Sequence, residues 1–420
     1  MSRNLRRRKA PSSTEELLVG VDGGATEVKV HEILRLEREE GLRLDLGSSS
    51  SSMLYDRTQR FVPVPMAQQL LEEERGELLL GAQERAEGRL VLEAFLHAIR
   101  SVAEQAGIKR LRVGICLPGV KSADGRGVVV MRNGPRLPDF LAQLEAGLAV
   151  VGLELVGPIP RLVSDGEACA QGENLGLEGL LAQVRNAYYI GGGTGIAEAF
   201  KLGGAVVDME ALRPWMRKAW QMETSSGVSL EDLASAHGMN ERYAQRRGVE
   251  LVPGEEIYPE ERVELGDPDA QSVLREAGGA LAQLVFARIQ TCARAQKLQR
   301  AGPRAGRASF KLEAGTLLER VVVGQQLGRL LADPALARHL REPLEEQLGA
   351  LLRGTCDPAL EKAYLAGDTL RPEFLQPSLL RAAPAIGAAA LCLGPARLRG
   401  GAAEASGGGP ARPRAEESLG

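Results

Sequence analysis

Apolar positions along the chain alternate in short runs and then spread into helical stripes, and the change from one pattern to the other falls at glycines. Leu17, Leu18, Val19 and Val21 lead into a Gly-Gly turn at Gly23 and Gly24, and alternation resumes at Val28 and Val30. This predicts a strand, a tight turn and a second strand. The design returns at Asn186–Phe200, where Tyr188, Tyr189 and Ile190 enter the turn Gly191-Gly192-Gly193-Thr194-Gly195 and a return segment follows. Two glycine hairpins of one design in two halves of a chain predict a duplicated α/β architecture with one ligand clamped between the halves.

Between the hairpins, Glu37–Glu40 and the serine run Ser48–Ser52 read as an exposed excursion. Leu92, Phe95, Leu96, Ile99, Val102 and Ala103 have the spacing of an amphipathic helix within Gly88–Gly107, ended by its last glycine. Leu111–Val120 is a buried strand stopped by Pro118-Gly119. A further strand gives way near Asn133 to a loop marked by Pro and Gly that runs to Phe140, and Leu162-Val163 delivers Ser164 and Asp165 to the start of a small-residue helix. In the second half, Trp215 and Trp220 lie in a helix-like stretch and Ser229 opens an amphipathic helix. Asp267–Leu298 reads as a long helix with small residues at Gly278, Gly279 and Ala280, followed by a loop at Gly302–Gly306. Leu318–Gly328 reads as a buried strand ended by glycines, with another long helix to about Leu352, and Pro377–Gly394 as a buried small-residue helix.

The 420 residues suffice for two domains, and 44% hydrophobic with 25% charged residues is the composition of a soluble globular protein. A net charge of -3 gives no global reason to expect nucleic acid. The longest apolar stretch, Ala382–Leu393, is too short to span a bilayer and contains Pro384 and Gly387. Arg3, Arg6, Arg7, Arg8 and Lys9 are not followed by a signal-peptide core and read as a disordered basic tail. The five cysteines are scattered, which fits reduced thiols in a cytoplasmic protein. The four histidines are isolated from one another, so local spacing draws no zinc site.

Candidate chemistry gathers at the turns. Glycine leaves backbone N–H groups uncovered and free to adopt positive φ, so Gly23 and Gly24 can wrap an anionic oxygen, with Thr26 adding a hydroxyl and Asp22 able to hold a hydrated Mg²⁺. The same Asp-Gly-Gly is also an ordinary hairpin turn. Asn133 either hydrogen-bonds a polyhydroxylated ligand or shapes its own turn. Asp165 has two readings as well. It is an N-cap, or it is a general base fixed at a strand end beside a helix N-terminus.

In this order the motifs resemble the ROK family of sugar kinases and repressors, within the actin, hexokinase and heat-shock ATPase superfamily. The resemblance covers most of Leu17–Gly394. It rests on a first phosphate loop at Asp22–Thr26, a GI-x-x-PG strand at Gly114–Gly119, an approximate Asn-x-Pro loop at Asn133–Phe140, and a D-x-x-x-A-x-x-GE context at Asp165–Glu173. A GTGI loop at Gly193–Ile196, a glycine-ended strand at Val321–Gly328 and an IGAA helix at Ile386–Ala389 complete it.

The resemblance implies an α/β fold of two actin-like lobes, ribonuclease H-like in type, with a nucleotide cleft between them. The lobes would span 17–160 and 161–376, with a helix at 377–396 packing back on the first lobe and disordered tails at 1–16 and 397–420. It implies ATP and Mg²⁺, the phosphates held by Gly23, Gly24, Thr26, Gly193, Thr194 and Gly195, and the adenosine side by Gly324. Asp22 would position Mg²⁺ through water. Asn133, Ser164, Asp165 and Glu223 would contact a hexose or N-acetylhexosamine, whose hydroxyl Asp165 would deprotonate.

The chain departs from the family pattern in three places. Ala197–Gln221 contains neither cysteine nor histidine, so the E-x-G-H and zinc segments are missing; Ser164 replaces an asparagine; and Gly324-Gln325-Gln326 replaces a glycine triplet. A non-catalytic sugar or nucleotide sensor on the same fold is therefore the alternative. The roughly 16 residues before the first strand are too few for the helix-turn-helix of the family's repressors, so direct nucleic-acid binding is not expected. An activator of the benzoyl-CoA reductase type shares the first loop, but the scattered cysteines offer no iron–sulfur ligand. The resemblance also leaves room for a homodimer.

Overall fold

The computed structural model describes residues 16–55, 61–212, 216–250, 257–294 and 315–393. Trp215, the loop Gly302–Gly306 and, but for Glu16, the expected tails lie outside them.

The first sheet begins as an antiparallel meander of β1 (Leu17–Gly23), β2 (Glu27–Arg38) and β3 (Gly41–Leu54). β4 (Arg110–Cys116) then joins β1 in parallel. Two short strands, β5 (Glu154–Leu155) and β6 (Leu162–Val163), pair with successive halves of β4. The second sheet repeats this plan. β7 (Ala187–Gly192), β8 (Ile196–Leu202) and β9 (Ala205–Asp208) form the meander, and β10 (Arg320–Gly324) and β11 (Leu375–Pro377) add in parallel, giving the order β9-β8-β7-β10-β11. The duplication expected from the two hairpins is thus a duplication of sheet topology, and the fold is of the expected α/β class, with one sheet in each lobe.

Each sheet buries one face under its own helices. In the first lobe, α1 (Met66–Arg75), α2 (Ala82–Ala106) and α3 (Phe140–Val150) accompany a core in which Phe95, Ile99, Leu111 and Leu144 are fully buried. Phe95 and Phe140 meet edge to face at 4.9 Å. α2 begins before the expected Gly88, because Glu84 and Glu87 on its first turns are themselves buried; it ends as expected, at Gly107 with φ +70°. α4 (Asp165–Leu175) follows β6. In the second lobe α5 (Leu230–Ala234), α6 (Ala236–Arg247), α7 (Pro268–Ala293), α8 (Gln325–Ala332) and α9 (Arg341–Arg353) enclose a core that includes Tyr188, Phe200, Leu274, Leu344 and Leu348. The single long helix expected up to Leu352 is two, α8 and α9.

The serine run is not an exposed excursion. Ser48–Ser52 belongs to β3, where the pairing with β2 shifts register between His31 and Ile33. Glu32 points into that irregularity and accepts the N–H groups of Ser48 at 3.1 Å and Ser49 at 3.0 Å. A buried carboxylate supplies the order that serine's weak strand propensity does not.

α10 (Ala383–Leu391) lies against β1, β4 and α4, and α4 in turn lies against β8. Side chains are absent from the closest contacts. A Cβ at Gly20 would overlap the carbonyl oxygen of Ala385, one at Gly114 that of Ala388, one at Gly172 that of Ala383, and one at Gly387 that of Ala168. Among the described residues no helix is long and apolar enough to cross a membrane.

Candidate active site

Asp22 and Asp165 come close enough for their charges to interact. Asp22 stands near the end of β1, in register with Cys116 of β4, and Asp165 is the first residue of α4. Ser164 caps that helix, its Oγ accepting the Glu167 N–H at 3.2 Å, so the capping role weighed for Asp165 belongs to its neighbour. Asp165 Oδ1 accepts the Gly166 N–H at 2.9 Å, at the helix end where the backbone dipole favours negative charge.

Burial pushes the Asp22 carboxyl above the usual carboxylate range, and the charges of Asp165 and Glu27 push the same way. The Cys116 thiol, donating to Asp22 Oδ1 at 3.4 Å, and the charge of Lys29 pull it down. Lys29 itself is tied to Glu27 at 2.6 Å on the outside of the hairpin. Cys116 and Cys169 are fully buried, and burial together with both aspartates holds their thiols far above the ordinary value. Two carboxylates and two thiols that favour the neutral form are therefore gathered here.

The two glycine turns use glycine differently. In the first, the Gly24 N–H donates to Glu27 O at 2.8 Å, the Tyr55 hydroxyl donates to Gly24 O at 3.0 Å, and Thr26 is exposed. The expected recourse to positive φ is not found at Gly23 or Gly24. Gly23 is needed for space, since a Cβ there would come within 2.5 Å of Phe95 Cζ and 2.7 Å of Leu117 Cδ1. In the second turn, Gly193 faces open space, its N–H donating to Gly195 O at 3.1 Å, and Thr194 is exposed. The next N–H, that of Ile196, donates to Glu231 Oε2 at 3.0 Å. A Cβ at Gly195 would lie 3.2 Å from the same oxygen. Glu231 opens the first turn of α5 and is 6% exposed. Its other oxygen is held by Arg132 of the first lobe. Burial pushes the Glu231 carboxyl up, whereas the Ile196 N–H and Arg132 pull it down.

Arg132 and Asn133 are exposed side chains on a firmly held loop. Gln69 brackets Met131, accepting its N–H at 2.7 Å and donating to its carbonyl at 2.9 Å. The fully buried Arg136 donates to Glu84 through Nε at 2.8 Å and Nη2 at 2.9 Å, and also pairs with Glu72. A second buried pair does the same work in the other lobe. Arg288 donates to Glu198 at 2.6 and 2.9 Å and to Arg217 O at 2.7 Å, while Glu198 accepts the Ala219 N–H at 3.0 Å. These bonds fix the segment leading to Glu223, which is itself exposed and bridges backbone to backbone with Ser229 at the mouth of a hairpin.

Gly324 closes β10 against the Tyr189 ring, at 2.9 Å from Tyr189 Cε2 for a Cβ placed there. Gln325 follows with φ +56°, in the left-handed region that favours glycine. Its Nε2 donates to Cys169 Sγ at 3.4 Å, and its Oε1 would be 2.7 Å from a Cβ on Gly191. The backbone keeps a glycine conformation while a side chain fills the space a glycine leaves. Arg132, Glu231 and Gln325 were not singled out as site residues from the sequence. Arg132 directly precedes Asn133, and Gln325 was noted as a departure, but the partners Arg132 and Glu231 lie 99 residues apart with no local pattern joining them.

No family model matches the chain, and no curated protein matches it. Solved structures do. A ROK hexokinase from Thermus thermophilus is 18% identical, with a TM-score of 0.51 over 90% of this chain and 97% of that one. A ROK family glucokinase from Streptomyces griseus, in complex with glucose and AMPPNP, is 16% identical, with a TM-score of 0.50 over 89% and 98% of the two chains. A ROK family transcriptional regulator, a homolog of the E. coli MLC protein, is 13% identical, with a TM-score of 0.53 over 91% and 79%. The fold is therefore the two-lobed actin-like fold that these ROK structures have.

Proposed function

We propose that the protein is an ATP-dependent kinase of a hexose or N-acetylhexosamine, with Asp165 as general base. The observation that carries this reading is that Asp22, at the first glycine turn, and Asp165, at the start of α4, lie close enough for the charge of one to disfavour that of the other. A sensor has no need to bury like charges together, which costs stability.

Asp165 is suited to the base role because Ser164 relieves it of capping and a rigid strand-to-helix junction aims it. It would take the proton of the attacking hydroxyl as the new bond to phosphorus forms. Asp22, half-buried with a thiol as its hydrogen-bond partner and a second carboxylate nearby, fits a water-coordinated Mg²⁺, which when bound would neutralise charge on the phosphates. Asn133 and Glu223, each next to a segment pinned by a buried Arg–Glu pair, are the candidates for orienting sugar hydroxyls. Closure of the lobes would keep water from the γ-phosphate.

The test is sugar-dependent ADP release across a panel of hexoses and N-acetylhexosamines with ATP and Mg²⁺, using Asp165→Asn as control. Release with one sugar that disappears in the variant supports the kinase. Silence across the panel with retained nucleotide binding favours the sensor, a reading to which Gln325 lends support because its side chain, bonded to Cys169, stands where the family pattern has a glycine.

A further inference from the structure

The second glycine turn already holds an anion. Glu231 places one carboxylate oxygen 3.0 Å from the Ile196 N–H and directly over Gly195, while Arg132 reaches across from the opposite lobe to the other oxygen. Arg132 also lies 4.0 Å from Asp232. A carboxylate held by a backbone N–H on one side and a guanidinium on the other has the surroundings of a phosphoryl oxygen at a phosphate site.

We propose that Glu231 is an internal stand-in for a nucleotide phosphate: it occupies the turn and latches the lobes through Arg132 until a phosphoryl group displaces it and takes over both the Ile196 N–H and Arg132. This inference rests on the reading of the cleft as a nucleotide site. Three features of the structure favour exchange over a permanent structural pair. Arg132 keeps a side-chain exposure of 55% although its partner is buried, so it can leave without exposing a core. The loop behind it is fixed by Gln69 and Arg136, so the guanidinium stays at the cleft when it lets go. The Gly193 side of the turn opens on empty space, which gives a phosphate a way in.

Arg132 becomes, in this view, an anion-binding residue contributed by the first lobe to a turn on the second. The exchange swaps one acceptor for another on the same donors, so its balance is set by the relative charge of carboxylate and phosphate and by Mg²⁺.

The experiment compares wild type, Glu231→Gln and Arg132→Met by calorimetric titration with MgADP, and by interlobe distance distributions from spin labels placed one on each lobe without nucleotide. Glu231→Gln removes the competing charge and keeps the volume, and it is expected to bind MgADP about tenfold more tightly than wild type, the scale of one charge-assisted hydrogen bond. Both variants are expected to broaden the distance distribution of the free protein. Arg132→Met alters an exposed side chain and so guards against a folding defect in the other variant. If wild type binds MgADP and Glu231→Gln binds it no more tightly, the stand-in is overturned while the nucleotide reading stands. If neither protein binds MgADP, the nucleotide reading fails, and an unchanged distance distribution then overturns the latch as well.

Discussion

The two glycine turns answer to one description in sequence and to opposite needs in space. The first brings Asp22 beside Asp165 and two buried thiols, where burial and Asp165 both disfavour its charge. The second brings backbone donors to a place where a carboxylate, Glu231, already sits on them. One turn gathers carboxylates, and the other has a carboxylate seated on its backbone donors. The difference teaches that a repeated strand, turn and strand fixes where the turns stand, while the charges gathered at each depend on single residues from distant segments.

The strongest way to break the comparison is at the shared carboxylates. Asp165→Asn is expected to lower phosphoryl transfer by about 10²-fold or more while MgADP affinity measured by calorimetry stays close to wild type; a variant with normal turnover removes Asp165 from the chemistry. Next in size is a steric contrast between the turns. Gly23→Ala must displace Phe95 or Leu117 and is expected to cost about 1–3 kcal/mol in denaturant unfolding. The third prediction uses pH. Because the Asp22 pKa is raised in the folded state, its contribution is lost as pH rises above the ordinary carboxylate range, so Asp22→Asn should melt higher than wild type near pH 7. Below the ordinary carboxylate pKa of about 4 the two melting temperatures should converge, since both side chains are then neutral. The smallest effect is expected at Gly193→Ala, where nothing stands within reach of a Cβ, and stability should change by no more than about 0.5 kcal/mol.

Much of the fold was legible because its information is local. Alternation at Val19, Val21, Val28 and Val30, the stripe from Leu92 to Val102 and the glycine at 107 each fix an element within a few residues. The serine strand was misread because its order comes from Glu32, a residue on the neighbouring strand. The site divides in the same way. Asp22 and Asp165 announce themselves by standing at strand ends, as does the capping serine beside the second. The covering of the Ile196 N–H by Glu231, its clasp by Arg132 and the two buried Arg–Glu pairs depend on contacts between residues that are 35, 99, 52 and 90 positions apart. No pattern of period 2 or 3.6 carries such information.

The four glycines at 20, 114, 172 and 387 set α10 against β1, β4 and α4 at a spacing that no side chain could keep. Main chain rests on main chain there, so the separation of these layers is measured by carbonyl oxygens and not by rotamers. The smallest added methyl becomes a wedge between them. The positions that seat this helix are thus ones that bring no chemical group of their own.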